Sequence, residues 1–240
     1  MKKFLQAVKE LCFPPRCLGC DISLPASTVP MFCLACADKI ELIKEPFCTI
    51  CGKAFPKATG GSHRCAACLK RTPYYSKARA IAHYKGPLVT AIHDFKYRGR
   101  AVALSSFASL RQSLHHLNTL GEADIIVPVP LHIKRLRERG FNQAVLLAKT
   151  FFPDEKEKLR VDLLIRHKQT LPQTGLDGAA RRKNLKNAFR ITDPDEVAGK
   201  SVLLIDDVYT TGTTVNECAR MMRRAGAADV HVFTLARVED

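Results

Sequence analysis

Tryptophan is absent from this 240-residue chain and only 7% of it is aromatic, which leaves little material for a dedicated base-stacking surface. Phe47, Phe55, Tyr74, Tyr75, Tyr84 and Tyr97 lie near cations, but aromatics this sparse are needed first for the core. Long apolar runs are missing too. No stretch approaches the roughly 20 residues of a bilayer-spanning helix, so membrane insertion is not expected. The start, Met1-Lys2-Lys3-Phe4-Leu5-Gln6-Ala7-Val8-Lys9-Glu10, carries charges where an export signal needs an apolar centre. A cytoplasmic location with reduced cysteines is the expectation. Acidic residues are in deficit: 23 Asp and Glu face 38 Lys and Arg, a formal net charge of +15. That imbalance points to an anionic partner such as nucleic acid, polyphosphate or a phosphorylated substrate; a solvated basic surface gives the same count.

Cysteine, by contrast, is plentiful. Eight of the ten cysteines form four Cys-x-x-Cys pairs, Cys17/Cys20, Cys33/Cys36, Cys48/Cys51 and Cys65/Cys68. This spacing lets two thiolates reach one ion from a tight turn, and two such turns complete a tetrahedral zinc site. Disulfides compete for the same residues but need an oxidising compartment. Two structural Zn2+ ions are therefore expected. With 12 residues between Cys20 and Cys33 and 13 between Cys51 and Cys65, sequential pairing is preferred, although an interleaved arrangement uses the same cysteines. Eight thiolates with two zinc ions would bring the chain from +15 to about +11, still basic. Residues 14–72 hold little periodic hydrophobicity, so metal binding would supply their folding free energy. The reading is a double zinc ribbon within a domain 1–75, with Phe4–Phe13 as a capping helix. Cys12 and Cys218 fall outside the pairs, and Cys218 reads as a small core residue.

From residue 76 to 240 the pattern alternates apolar strands with helices. Strands are predicted at Ala78–Tyr84, Ile125–Val129, Arg160–Arg166, Val202–Ile205 and Val230–Ala236, and helices at Gly86–Phe95, Ala101–Leu117, Phe141–Phe151 and Val215–Ala225. Apolar strands separated by helices imply an α/β fold with a parallel sheet covered on both faces. Ligands of such sheets bind at the carboxyl ends of the strands.

One such end carries the most chemistry. Val202-Leu203-Leu204-Ile205 is followed by Asp206 and Asp207, then by Val208-Tyr209-Thr210-Thr211-Gly212-Thr213-Thr214 and a helix. A small-residue loop entering a helix aims unpaired N–H groups and the positive end of the helix dipole at one spot, which suits phosphate. Two carboxylates there would repel phosphate, so they face hydroxyls or a cation. A ribose 5-phosphate meets both demands; an ordinary polar strand–turn–helix is the plainer alternative. A second segment, Val127 to Gln143, leaves a strand end with Lys134, Arg135, Arg137 and Arg139 clustered in it. It reads as a phosphate-handling loop, since the Arg fork engages phosphate oxygens in pairs, or else as a basic surface helix. Residues 166–184, rich in Gly, Pro and cations, read as a mobile loop over the site or as a linker.

The run 202–214 resembles the phosphoribosyl-pyrophosphate (PRPP) motif of type I phosphoribosyltransferases. With the Cys pairs, Pro128-Val129-Pro130-Leu131-His132, Arg135 through Gln143, Gln173-x-x-Leu176 and Arg181-Arg182-x-Asn184, nearly the whole chain resembles the ComF family, which includes GntX-like proteins. The resemblance implies a type I phosphoribosyltransferase-like fold behind a zinc ribbon. It implies that Asp206 and Asp207 contact the ribose hydroxyls, partly through Mg2+, and that Thr210, Thr211, Gly212, Thr213 and Thr214 hold the 5′-phosphate. Leu131, His132, Arg135 and Arg139 fall where that class binds diphosphate. Family members are associated with natural transformation, which implies single-stranded DNA and the DNA-uptake machinery as partners. A pentosyl transferase with an open acceptor is the expected activity. A non-catalytic PRPP sensor and a nucleobase salvage transferase are the alternatives.

Overall fold

The computed structural model describes residues 14–25, 30–56, 60–99, 102–112, 120–168 and 184–239. The Phe4–Phe13 helix and residues 169–183 of the expected loop lie outside them. Among the described residues the strands are β1 (Lys77–His83), β2 (Ile125–Pro128), β3 (Leu164–Arg166), β4 (Phe189–Ile191), β5 (Ser201–Tyr209) and β6 (Asp229–Arg237). The helices are α1 (Leu34–Ala37), α2 (Ala66–Lys70), α3 (Pro87–Arg98), α4 (Ala103–Gln112), α5 (Ile133–Arg139), α6 (Gln143–Phe151) and α7 (Thr213–Arg224).

A parallel sheet runs in the order β1-β6-β5-β2. Its central strands are apolar because both faces are covered, and alternate residues serve different faces. Val202 and Leu204 enter one core with Val230 and Val232, roofed by Val215, Ala219 and Met222 of α7. Leu203 and Ile205 enter the other with Phe233 and Leu235, against Ile92 and Phe95 of α3, Phe107 of α4 and Phe151 of α6. Every strand of this sheet ends on the same edge, as the α/β reading requires.

Two expectations change. The strand expected at Arg160–Arg166 shortens to β3 and pairs antiparallel with β4, as a hairpin separate from the parallel sheet. Its Leu164, with Phe189 of β4, still packs into the core under α7. The basic segment after β2 is a loop only as far as His132, since Ile133–Arg139 is helical. That helix buries no residue, so it leaves no apolar stripe for a sequence pattern to show. His132 starts it, with Nδ1 accepting from the Lys134 N–H at 3.3 Å, and Gly140 ends it in the left-handed conformation at φ 77°.

The cysteine-rich segment wraps the edge of the sheet. Between its second and third Cys pairs, Leu42 bridges Ala82 of β1 antiparallel, and the Ile43 N–H donates to the Ile81 carbonyl at 2.9 Å. The exposed hydrogen-bonding edge of β1 is thereby covered. The first cysteine lobe packs into the α3 side of the sheet and the second into the α7 side.

Candidate functional site

Asp206 and Asp207 stand near the carboxyl end of β5, where β2 gives way to the Val129–His132 loop. The Val129 N–H donates to the Ile205 carbonyl at 2.8 Å, which sets that loop beside the acids. Asn142 braces it further along: its Nδ2 donates to the Val129 carbonyl at 3.1 Å, while its Oδ1 caps α6 through the Ala144 N–H at 3.0 Å. One side chain thus ties both ends of the basic segment together.

The acids are not alone. Lys96 of α3 places Nζ 2.9 Å from Asp207 Oδ1, with both side chains mostly buried at 18% and 14% exposure. Burial lowers the Lys96 pKa, but Asp207 and Asp206 outweigh it and raise it overall. Asp206 Oδ1 accepts the Asp207 N–H at 2.9 Å. Burial first and the Asp207 charge second push the Asp206 carboxyl up to about 7, against the opposing pull of that N–H, Lys96 and Arg166. Arg166, at the end of β3, feels the charges of both Arg135 of α5 and Asp206. Burial lowers the Arg166 pKa first and Arg135 adds to it. Arg139 instead stacks over Tyr97 of α3, with its guanidinium carbon 4.7 Å from the ring centroid. Of the expected basic ligands, Arg135 therefore lies on the acid side of the site and Arg139 against α3. Lys96, near the end of α3, escapes a sequence reading, and Arg166 enters it only as the start of the 166–184 segment; the fold brings both to Asp206 and Asp207. Cys218 is fully buried, and burial raises its thiol pKa far above the usual value.

The loop after the acids has the geometry of an anion cradle. Gly212 is left-handed at φ 70° and precedes α7 with no side-chain cap of its own, and the first N–H groups of a helix are those that suit an anion. Thr211 Oγ1 and Thr213 Oγ1 lie 2.8 Å apart across the glycine. Two opposed environments therefore adjoin: an N–H-rich turn and a carboxylate pair with a single ion-paired lysine. That donor set, with one of its carboxyls holding a proton near neutrality, fits a divalent cation that displaces the proton.

Both metal centres assemble by sequential pairing. Cys17, Cys20, Cys33 and Cys36 form one cluster and Cys48, Cys51, Cys65 and Cys68 the other, with the sulfurs of each within 4.8 Å of one another. Cys20 and Cys33 Sγ are 3.7 Å apart, as are Cys51 and Cys65 Sγ. A disulfide needs about 2.05 Å, whereas a tetrahedron of Zn–S bonds of about 2.3 Å has edges of about 3.8 Å. The Cys51 and Cys65 N–H groups donate to Cys48 Sγ at 3.4 and 3.3 Å. Burial raises that thiol, but these N–H groups and that of Ile50 overcome it and bring it down to about 6. The residues fit two structural zinc ions.

Residues 138–240 match the phosphoribosyl transferase domain family and residues 8–73 the double zinc ribbon domain. Competence protein F of Haemophilus influenzae is 34% identical over 229 residues, covering 92% of this chain and 96% of its own. The chain belongs to the ComF family. Other relatives of this ComF-family protein are the DNA utilization protein YhgH of Escherichia coli O157:H7, 34% identical over 225 residues (88% of this chain, 98% of its own), and competence protein ComFC of Bacillus subtilis, 29% identical over 213 (85% and 83%). No helix among the described residues is long and apolar enough to cross a membrane.

The raised Asp206 carboxyl gives a stability prediction. A carboxyl shifted from 3.8 to about 7 holds its proton more tightly when folded. Its contribution is complete below pH ~4 and declines as pH rises toward about 7, at up to about 1.4 kcal/mol per pH unit. Between about pH 4 and 7 this carboxyl is expected to pull down the melting temperature of the ligand-free protein, and Asp206→Asn, which mimics the protonated acid, to flatten that fall. Parallel pH profiles of the two proteins by thermal denaturation provide the check.

Proposed function

We propose that this protein binds PRPP with Mg2+ through a phosphoribosyltransferase site and acts in natural transformation, handling incoming single-stranded DNA in the cytoplasm. The observation that carries the reading is the carboxylate pair at the end of β5 abutting the left-handed Gly212 turn that opens α7. In this reading Thr210 to Thr214 hold the 5′-phosphate through N–H and hydroxyl groups. Asp206 and Asp207 take the ribose 2′ and 3′ hydroxyls and would hold Mg2+, which supplies charge neutralisation for the diphosphate. Leu131, His132 and Arg135 face the leaving diphosphate, with Arg166 behind them and Arg139 at the α3 side.

What these residues do chemically is mainly electrostatic. In transfer, the bond from C1 to diphosphate breaks with its electron pair leaving on diphosphate, and an acceptor nucleophile bonds to the cationic C1. Partly buried Asp206 and Asp207 sit where positive charge develops on the ribose, and the cations of α5 and β3 where negative charge accumulates. Residues 76–240 would form this site and 1–75 the zinc-bound part that, with α5, meets DNA. The basic balance of +15 and relatives named for competence and DNA utilization support that role.

A screen for diphosphate release from PRPP across bases, nucleosides and single-stranded DNA tests the reading. Release with one acceptor identifies a transferase; tight PRPP binding with no release identifies a sensor; no PRPP binding overturns both. Oligonucleotide affinity gives an independent prediction. If three phosphates are contacted, the single-strand slope of roughly −0.7 per phosphate predicts about a twentyfold loss between about 50 and 200 mM salt. A flat response in a fluorescence-anisotropy titration excludes phosphate-dominated binding.

A further inference from the structure

The phosphate loop and the second tetracysteine cluster are joined by a short buried chain of side chains. Tyr209, the last residue of β5, turns its ring back beneath the loop it precedes. A Cβ placed on Gly212 would lie 2.1 Å from the Tyr209 hydroxyl and 2.4 Å from its Cζ, so the ring fills the space a side chain at 212 would need. Gly212 is thus required twice, by its φ of 70° and by this close approach.

The ring is held from two further directions. Its hydroxyl meets the Tyr75 hydroxyl at 2.6 Å, a contact buried from solvent. The Arg237 guanidinium lies over its face, 4.2 Å from the centroid, and Arg237 Nη1 donates to the Cys51 carbonyl at 2.8 Å. Tyr75, Tyr209 and Arg237 are exposed by only 4%, 7% and 5%. Cys51 is one of the four cysteines of the second cluster, all of which are buried. A second buried arginine, Arg79, reaches the same knuckle through the Thr49 and Ile50 carbonyls at 3.1 and 3.5 Å. Zinc with four thiolates carries a charge of −2, so two buried guanidinium groups beside it complete a neutral assembly.

We propose that Tyr209 is a positioning residue for the phosphate loop, and that through Arg237 and Tyr75 it couples the order of that loop to metal occupancy of the second tetracysteine site. Metal holds the Cys48–Cys51 knuckle closed, the Cys51 carbonyl holds Arg237, and Arg237 with Tyr75 holds the ring under Gly212. The loop is then preorganised to receive a phosphate, and the ordering cost is removed from the binding step. Coupling between sites is reciprocal, so an ordered loop slows metal loss. The consequence for PRPP affinity rests on the function proposed above; the coupling itself does not.

The test perturbs each end and reads the other, on the full zinc-loaded chain without PRPP. Tyr209→Phe touches no cysteine, yet it is expected to speed release of one of the two zinc ions to a chromogenic chelator by about tenfold, the scale of one lost hydrogen bond. Arg237→Gln changes a residue of β6, outside the loop, yet hydrogen exchange at residues 210–214 is expected to accelerate by about the same factor, with exchange in β2 unchanged. Absence of either crossed effect overturns the coupling. Should Tyr209→Phe fail to fold, Tyr75→Phe removes the same hydroxyl contact from outside the loop, and its zinc-release rate decides. Crossed effects in a protein that does not bind PRPP leave the coupling standing and refute only the proposed function.

Discussion

Replacing Asp206 and Asp207 together by asparagine is expected to weaken PRPP binding in the presence of Mg2+ by at least about a hundredfold. Each ionised carboxylate offers charge-assisted hydrogen bonds to a ribose hydroxyl or a hydrated cation, worth roughly 1.5–3 kcal/mol apiece, and two of them give about 3–6 kcal/mol. The fold carries a complication. Lys96 is mostly buried with Asp207 2.9 Å away, and removing one partner of such a pair costs about 3–5 kcal/mol because the other charge is left uncompensated. Lost affinity alone could then reflect a loosened β5. Adding Lys96→Met removes the stranded charge. The triple variant is expected to regain most of the lost melting temperature while remaining unable to bind PRPP. Titration calorimetry beside thermal denaturation reads both quantities, and wild-type affinity in the folded triple variant sinks the site assignment.

That complication was invisible in the sequence, and the reason is general. Phe95-Lys96-Tyr97-Arg98 reads as the polar end of an amphipathic helix, and nothing local says which of its cations turns inward. The acids and the loop were legible because strand, carboxylates and glycine turn are contiguous, so one run of residues encodes their geometry. Lys96 and Arg166 join them across the fold, and proximity of that kind has no local signature. The β3–β4 hairpin was missed for a related reason. The sequence predicts a strand at Arg160–Arg166, but its partner β4 is only three residues long, too short for alternation to distinguish a paired strand from a loop. The parallel sheet was recoverable because both of its faces are buried and its central strands are therefore uniformly apolar. Helix α5 entered the sequence reading only as the alternative of a basic surface helix, because a helix with no buried face has cap residues, His132 and Gly140, but no period.

The cysteines show the limit of spacing as an argument. Four Cys-x-x-Cys pairs permit sequential or interleaved sites, and only three-dimensional placement separates them. The sequence also treated the two sites as equivalent, whereas the fold makes them unequal. In the first cluster Cys20 is exposed and Cys33 partly so; in the second every cysteine is buried and shares a core with Val215 and Met222 of α7 and Val230 of β6.

From that inequality follows a large difference between the two sites. Cys48→Ser with Cys65→Ser is expected to unfold the chain, while Cys20→Ser with Cys33→Ser is expected to lower the melting temperature and leave the sheet intact. A structural zinc site contributes about 10–16 kcal/mol of apparent binding free energy, comparable to the whole net stability of a domain, about 5–15 kcal/mol. Where the site lies decides what that energy supports. At the second cluster, metal loss leaves Arg79 and Arg237, both 5% exposed, beside a knuckle that no longer carries compensating charge. It also opens the core that α7 closes. At the first cluster, the lobe packs against the start of α3, where a Cβ on Gly19 would meet Pro87 Cβ at 2.6 Å, while β5, β6 and α7 keep their contacts. Zinc content by mass spectrometry with circular-dichroism melting checks both variants. Equal melting temperatures for the two would mean that the second cluster supports the sheet no more than the partly exposed first one does, and that full burial of its four thiolates adds nothing to the domain beneath.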